Sequence, residues 1–340
     1  MGTRISWQLR RLSRLVISIS SVILAMILVW LIIAGSSIAS AQIPADAVSS
    51  KLPLSSSPST INIEFYYSGD NSGGASTAAD DFAGLLSQET GLDIQATIQS
   101  CESYIVDNLG SGQSDLAPLS SVAYVLGHDK YGIEAELVNG ASGNYAYRSQ
   151  INVQTSRGYT DIWDLQGKQF TSTSPESITG FMLPYLLISE TTGMTPTKFF
   201  GEVNFVGSHA QVIKDVYTGT TDCGSTYEDA RGSVAGEYPD VLDVVSVLTY
   251  TEYMPQNPWA FRQGLDENLV LTLANGIITV AGTTDGVNAL ETIFEFDLTG
   301  IETTQDNTYD IVRDLVKVFG LHLELCNPIY LPIVLSDCCP

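Results

Sequence analysis

Between Ile61 and Gly140 the chain alternates short apolar strand-like runs with helix-like ones, and this alternation restricts the fold more than any other feature. "INIEFYY" is followed by the turn "SGDNSGGAS" and the helical pattern "TAADDFAGLLSQETG", which ends at Gly91. "LDIQATIQ" then precedes the helix "ESYIVDNLGSG", "SDLAPL" precedes "SVAYVLGHDKYG", and "IEAELVNG" closes the series. A β-α-β-α-β order predicts a parallel, doubly wound sheet. The extended segment "AYRSQINVQTSRG" leaves this unit, and the order restarts with "DLQGKQFTSTS", "PESITGFMLPYLLISETTG", "EVNFVGS", "HAQVIKDVYTG" and "TTDCGST". "VVSVLTYTEY" supplies a second crossing. The prediction is therefore α/β, two lobes joined by two crossings, with residues 61–148 and 255–340 in lobe 1 and 149–254 in lobe 2. Ligands of such sheets bind beyond the carboxyl ends of the strands.

Four arginines, Arg4, Arg10, Arg11 and Arg14, precede the uncharged apolar stretch Leu15–Ala34, and "IASAQ" offers a small-residue cleavage point after Ala41. Residues 1–41 read as an export signal, long enough to serve as an uncleaved membrane anchor as well. The Ser/Pro-rich segment 42–60 reads as a tether. Cleavage would shift the net charge from −23 to −27, because the first 41 residues hold four Arg and no acid. Such a charge argues against nucleic acid and against anionic lipid as partners, so the membrane is met only through the N-terminal segment. Five cysteines in an exported chain leave at least one unpaired or paired outside the chain. A bridge from Cys326 to Cys338 or Cys339 is expected, with Cys101 and Cys223 read as buried thiols. No metal-ligand spacing is present, and no cofactor is expected.

The stretch "TSTSPESITG", Thr171–Gly180, carries six hydroxyl side chains ahead of the apolar "FMLPYLL". One reading is a helix start, with Ser174 as N-cap and Pro175 at the first helical position. The other uses the helix's unpaired N–H groups with the hydroxyls of Ser177 and Thr179 as a seat for an anion.

"DLQGKQFTSTSPESITGFMLP" followed by "FVGSHAQVIKDVYTGTTDCGSTYEDA" resembles the phosphate/phosphite/phosphonate-binding family of ABC-transporter substrate-binding proteins. The resemblance runs from about Ile61 to Leu269, and implies the type II periplasmic binding fold with its ligand cleft between the lobes. In "SPESITG" the resemblance places Ser177 and Thr179 at hydroxyl positions of the family's seat, while Ile178 replaces a threonine and offers only its backbone N–H. Glu176 is expected to face solvent. "GSHAQVI" places His209 on a ligand-contacting histidine, "CESYIVDNL" nominates Tyr104, and "YAYRSQINV" nominates Tyr147. Ser120 and Ser121 in "APLSSVAY" are either further donors or a helix cap. Tyr227, with Glu228, Asp229 and Glu252, is a candidate for reading an organic substituent, and acids there would favour an amine-bearing ligand.

The resemblance implies capture of a small oxyanion outside the cytoplasm and its delivery, by a monomer, to an ABC permease. A membrane-tethered sensor is the alternative reading. An exported hydrolase is disfavoured: there is no G-x-S-x-G or H-E-x-x-H, and the histidines are His128, His209 and His322 alone.

Overall fold

The computed structural model describes residues 60–323. The export segment, all but the last residue of the tether, and Cys326, Cys338 and Cys339 lie outside the described residues. The first sheet collects β1 (Ile61–Tyr66), β2 (Ile94–Gln99), β3 (Leu116–Pro118) and β4 (Glu134–Ala141). Two late strands join them, β12 (Pro258–Phe261) and β13 (Leu298–Thr303). The order is β13-β4-β12-β3-β1-β2. β1 pairs parallel with β2 and β3, whereas β12 lies antiparallel between β3 and β4. The chain thus returns to its first sheet after building the second.

The second sheet has the order β10-β6-β9-β7-β8, from β6 (Ser149–Gln154), β7 (Gln169–Ser172), β8 (Glu202–Phe205), β9 (Cys223–Tyr227) and β10 (Val245–Tyr250). Its two crossings to the first sheet also pair with each other, through β5 (Ala146–Tyr147) and β11 (Met254–Pro255). The architecture is the two-lobed type II periplasmic binding fold, each lobe a mixed, mainly α/β layer.

Helices cover both sheets. α1 (Ser72–Thr90) begins inside the Gly/Ser-rich stretch expected to be a turn, because the Asn71 side chain accepts the Gly74 N–H and caps a helix there. α2 (Glu102–Ser111) and α3 (Ser121–Tyr131) follow β2 and β3. The first lobe's core packs Phe65, Phe82 and Trp259, with ring centroids 5.8–5.9 Å apart. In the second lobe Phe170 stacks on Phe200 at 4.4 Å. A further cluster spans the lobes: Met182, Leu183 and Leu186 of the second lobe pack with Ile105, Ala123, Tyr309 and Leu315 of the first. Phe319, ending the last described helix (Asp310–Phe319), adds an edge contact to Tyr185 at 5.0 Å. Each buried Leu here contributes about 1.5–3 kcal/mol.

Two expectations need correction. Cys101 is disulfide-bonded rather than a free thiol, while Cys223 is free and fully buried as expected. The N-cap of the helix after β7 is Ser177, not Ser174.

Candidate ligand site

The Thr171–Gly180 stretch folds around one backbone gap. Its helix opens as a π-type turn, Ile178–Met182, and continues as α4 (Leu183–Thr192). Pro184 has no N–H, so the Gly180 carbonyl lacks its helical donor. Two buried hydroxyls replace it: Ser172 Oγ donates to Gly180 O at 2.6 Å, and Ser225 Oγ donates to the same oxygen. Ser172 and Ser225 are both fully buried and belong to β7 and β9. Part of the serine richness is therefore structural, since it ties the helix start to two strands.

Pro175 and Glu176 form the turn, and the Ser177 N–H donates to Ser174 O at 3.2 Å. Ser177 Oγ then accepts the Gly180 N–H at 3.0 Å, closing the cap. Glu176 is exposed, so its carboxylate faces solvent. Ile178 and Thr179 open the helix, where N–H groups point outward without helical partners. Ile178 is half-buried against the apolar cluster that spans the lobes, and Thr179 is half-buried next to it.

Thr173 stands out in this arrangement. It is 6% exposed, and its Oγ1 is buried without a hydrogen-bond partner among the described residues. A Cβ on Gly180 would stand 1.9 Å from this oxygen and 2.7 Å from Ser177 Oγ. Glycine at 180 thus lets both hydroxyls close around the helix start.

A second helix reaches the same strand end. Val206 and Gly207 donate their N–H groups to Ser172 O and Thr173 O, and α5 (His209–Thr218) begins two residues later, capped by Ser208 Oγ on the Gln211 N–H. His209, its first residue, has a buried Nδ1 with no partner, and burial holds its pKa below the ordinary value. The neutral ring offers one donor and one acceptor. Tyr227, at the end of β9 and partly exposed, packs edge-on against it at 4.8 Å. Thr173, Ser177, His209 and Tyr227 therefore gather at the carboxyl ends of β7 and β9, where two helix N-termini add positive potential.

The remaining sequence candidates fall elsewhere. Tyr104 lies on α2 with its ring half exposed. Tyr147 sits on the first crossing, its hydroxyl donating to Met254 Sδ at 3.4 Å, and burial pushes its pKa up to about 12. Ser120 caps α3 by accepting the Ala123 N–H, while its own N–H and hydroxyl both donate to Glu102. Ser121 is buried and donates to the carbonyls of Pro255 and Gln256 on the second crossing. Glu228 is ion-paired with Arg148, whose guanidinium lies 3.8 Å and 4.4 Å over the rings of Tyr250 and Tyr253. Asp229 is left-handed, with its N–H on Gln150 Oε1, and Glu252 is exposed. Sequence reading missed Thr173 as a free hydroxyl, and missed Glu102 and Arg148 altogether.

Residues 69–309 match the family described as ABC transporter, phosphonate, periplasmic substrate-binding protein. The chain belongs to this family. Its members are transport substrate-binding proteins of the periplasm. Among solved structures, XAC2383 from Xanthomonas citri is similar at 17% identity, covering 76% of this chain and 96% of its own, with a TM-score of 0.50. Transferrin 1 from Manduca sexta matches at 13% identity and TM-score 0.57, over 76% of this chain and 46% of its own. PhnD1 from Prochlorococcus marinus, solved with methylphosphonate, matches at 15% identity, over 78% of this chain and 99% of its own, with a TM-score of 0.44. At these identities the first two likenesses speak for the fold.

Proposed function

We propose that this family member is the extracytoplasmic solute-binding component of an ABC transporter and captures a small phosphorus oxyanion, namely phosphate, phosphite or a phosphonate. The observation that carries the reading is the unpartnered Thr173 hydroxyl beside the Ser177 cap. A hydroxyl buried without a partner costs stability, and an anion at the helix start would supply the missing acceptor. In this reading the Ile178 N–H, the Ser177 and Thr179 hydroxyls, His209 and Tyr227 complete the seat. Tyr104 and Tyr147 contribute from the opposite lobe as residues 61–148 and 255–340 close on 149–254. Closure would exclude water and strengthen each hydrogen bond. In this reading no formal cation is needed in the seat, because charge-assisted bonds from fixed donors hold the anion.

The protein then works as a monomer that hands its ligand to a permease, held near the membrane by Leu15–Ala34 if that segment is retained. Isothermal titration of phosphate, phosphite and methylphosphonate into the purified protein tests the reading. Saturable heat with at least one of them is expected, and no binding of any at millimolar concentration would refute it.

A further inference from the structure

The first lobe has its own helix N-terminus at the carboxyl end of β3, the kind of place where ligands of such sheets bind, and the chain already fills it. β3 runs into α3 as β7 runs into the seat helix, and Ser120 caps α3. Here both Ser120 donors are taken: Glu102 Oε1 accepts the Ser120 N–H, and Oε2 accepts the hydroxyl at 2.8 Å. Glu102 comes from the first turn of α2, held there by a helix packed against α3. The two carboxylate oxygens thus take the place that two oxygens of a bound oxyanion would take at the end of a strand.

The carboxylate also lines a cavity of about 280 Å³ at the carboxyl ends of β1 and β3. Tyr66, Tyr67, Asn139, Asn257 and Glu295 share that lining, which contains no Lys, Arg or His. Tyr67 donates its hydroxyl to Glu295 Oε1 at 3.0 Å, so the second carboxylate is held by a neutral donor too. Neither acid is neutralised by a cation in the cavity. Burial raises the Glu102 pKa, opposed by the two bonds from Ser120.

We propose that Glu102 is a resident anion that sets specificity: it closes the first lobe's helix N-terminus to ligands and turns away any ligand bearing a second anionic group. The choice of ligand rests on the oxyanion reading of the second lobe's seat, whereas the resident-anion role does not. An anionic head is accepted by the second lobe only, and a group reaching the first lobe must be neutral or hydrogen-bond donating. Such rejection by a buried like charge is a common source of selectivity.

Two measurements separate these claims. In the first, methylphosphonate and phosphonoacetate, which adds a carboxylate, are titrated into wild type, Glu102→Gln and Glu102→Ala. Wild type should prefer methylphosphonate, and Glu102→Gln should shrink that preference about tenfold with methylphosphonate affinity little changed. The glutamine keeps an acceptor for the Ser120 N–H, so this variant guards against simple unfolding. In the second, the Ser120 backbone amide resonance is followed while inorganic phosphate is added to wild type and Glu102→Ala. A saturable shift in the variant alone is expected. An unchanged preference in both variants would overturn the specificity role, and a silent Ser120 amide in a folded Glu102→Ala would overturn the resident anion. If wild type binds neither phosphonate, the oxyanion reading falls and the specificity role falls with it, while the Ser120 measurement still decides whether Glu102 holds an anion site closed.

Discussion

Thr173→Val separates a ligand hydroxyl from a structural one, because the two roles predict opposite signs for stability. The Thr173 side chain is 6% exposed, and its oxygen has no hydrogen-bond partner among the described residues. An unsatisfied buried hydroxyl costs about 1–3 kcal/mol, and valine fills the same outline with a methyl group that needs no partner. The ligand-free variant should therefore be more stable by about 1 kcal/mol, raising the melting temperature by about 2–4 °C in a domain of this size. Binding should move the other way. Loss of one charge-assisted hydrogen bond costs about 1.5–3 kcal/mol, which is about a ten- to 150-fold rise in Kd. Thermal melts without ligand and isothermal titration with the best-binding oxyanion give both quantities on one preparation. A variant that melts lower than wild type and binds equally well would show that the hydroxyl serves the fold, and the seat would have to be sought elsewhere.

Ser177→Ala removes the cap on the Gly180 N–H as well as a seat hydroxyl; it should lower stability by about 1 kcal/mol and weaken binding, so melts and titrations should both respond, unlike the Thr173 variant. His209 has a folded pKa held below its unfolded value by burial. The unfolded chain then binds the extra proton, so its contribution to stability is complete above about pH 6.5 and is lost as the pH falls below that. Melts between pH 5 and pH 8 should show this loss, on the order of the histidine titration range, and His209→Gln should flatten it. Cys223 is fully buried with its pKa pushed well up. Alkylation should leave it untouched until the protein is denatured, and mapping without reduction should find Cys101 in a disulfide-linked peptide; a Cys101 that alkylates in the native protein would refute the bridge.

The strand and helix order was legible because each element carries its own period and stop signal. The helices ending at Gly91, Gly112 and Gly132 each close on a left-handed glycine, the feature that made their ends readable. The place of β12 between β3 and β4 was not legible, since a four-residue strand from a distant part of the chain has no local signature of its partners. β12 and β13, both antiparallel to their neighbours, make the sheet mixed. Asn71 likewise turned a Gly/Ser-rich stretch into a helix start through one side-chain acceptor, against the turn that its composition suggested.

At the site, residue types were legible and their roles were not. Ser172, Thr173, Ser174 and Ser177 look alike in sequence, yet one repairs a carbonyl, one is unpartnered, one lends its carbonyl to a turn, and one caps the helix. The signal that sorts them is Pro184. A proline four residues after Gly180 leaves that carbonyl without a donor and calls for a hydroxyl from β7, which only Ser172 is placed to give from that strand. The Pro175 start that favoured Ser174 as cap ignored this later proline and the π-type first turn, with its bond from the Leu183 N–H to Ile178 O. Glu102 and Arg148 carried no signal of any kind, because their roles depend on partners 18 and 80 residues away in the chain. A carboxylate opposite a serine cap becomes a resident anion only once α2 and α3 lie side by side, and that contact is made by the fold.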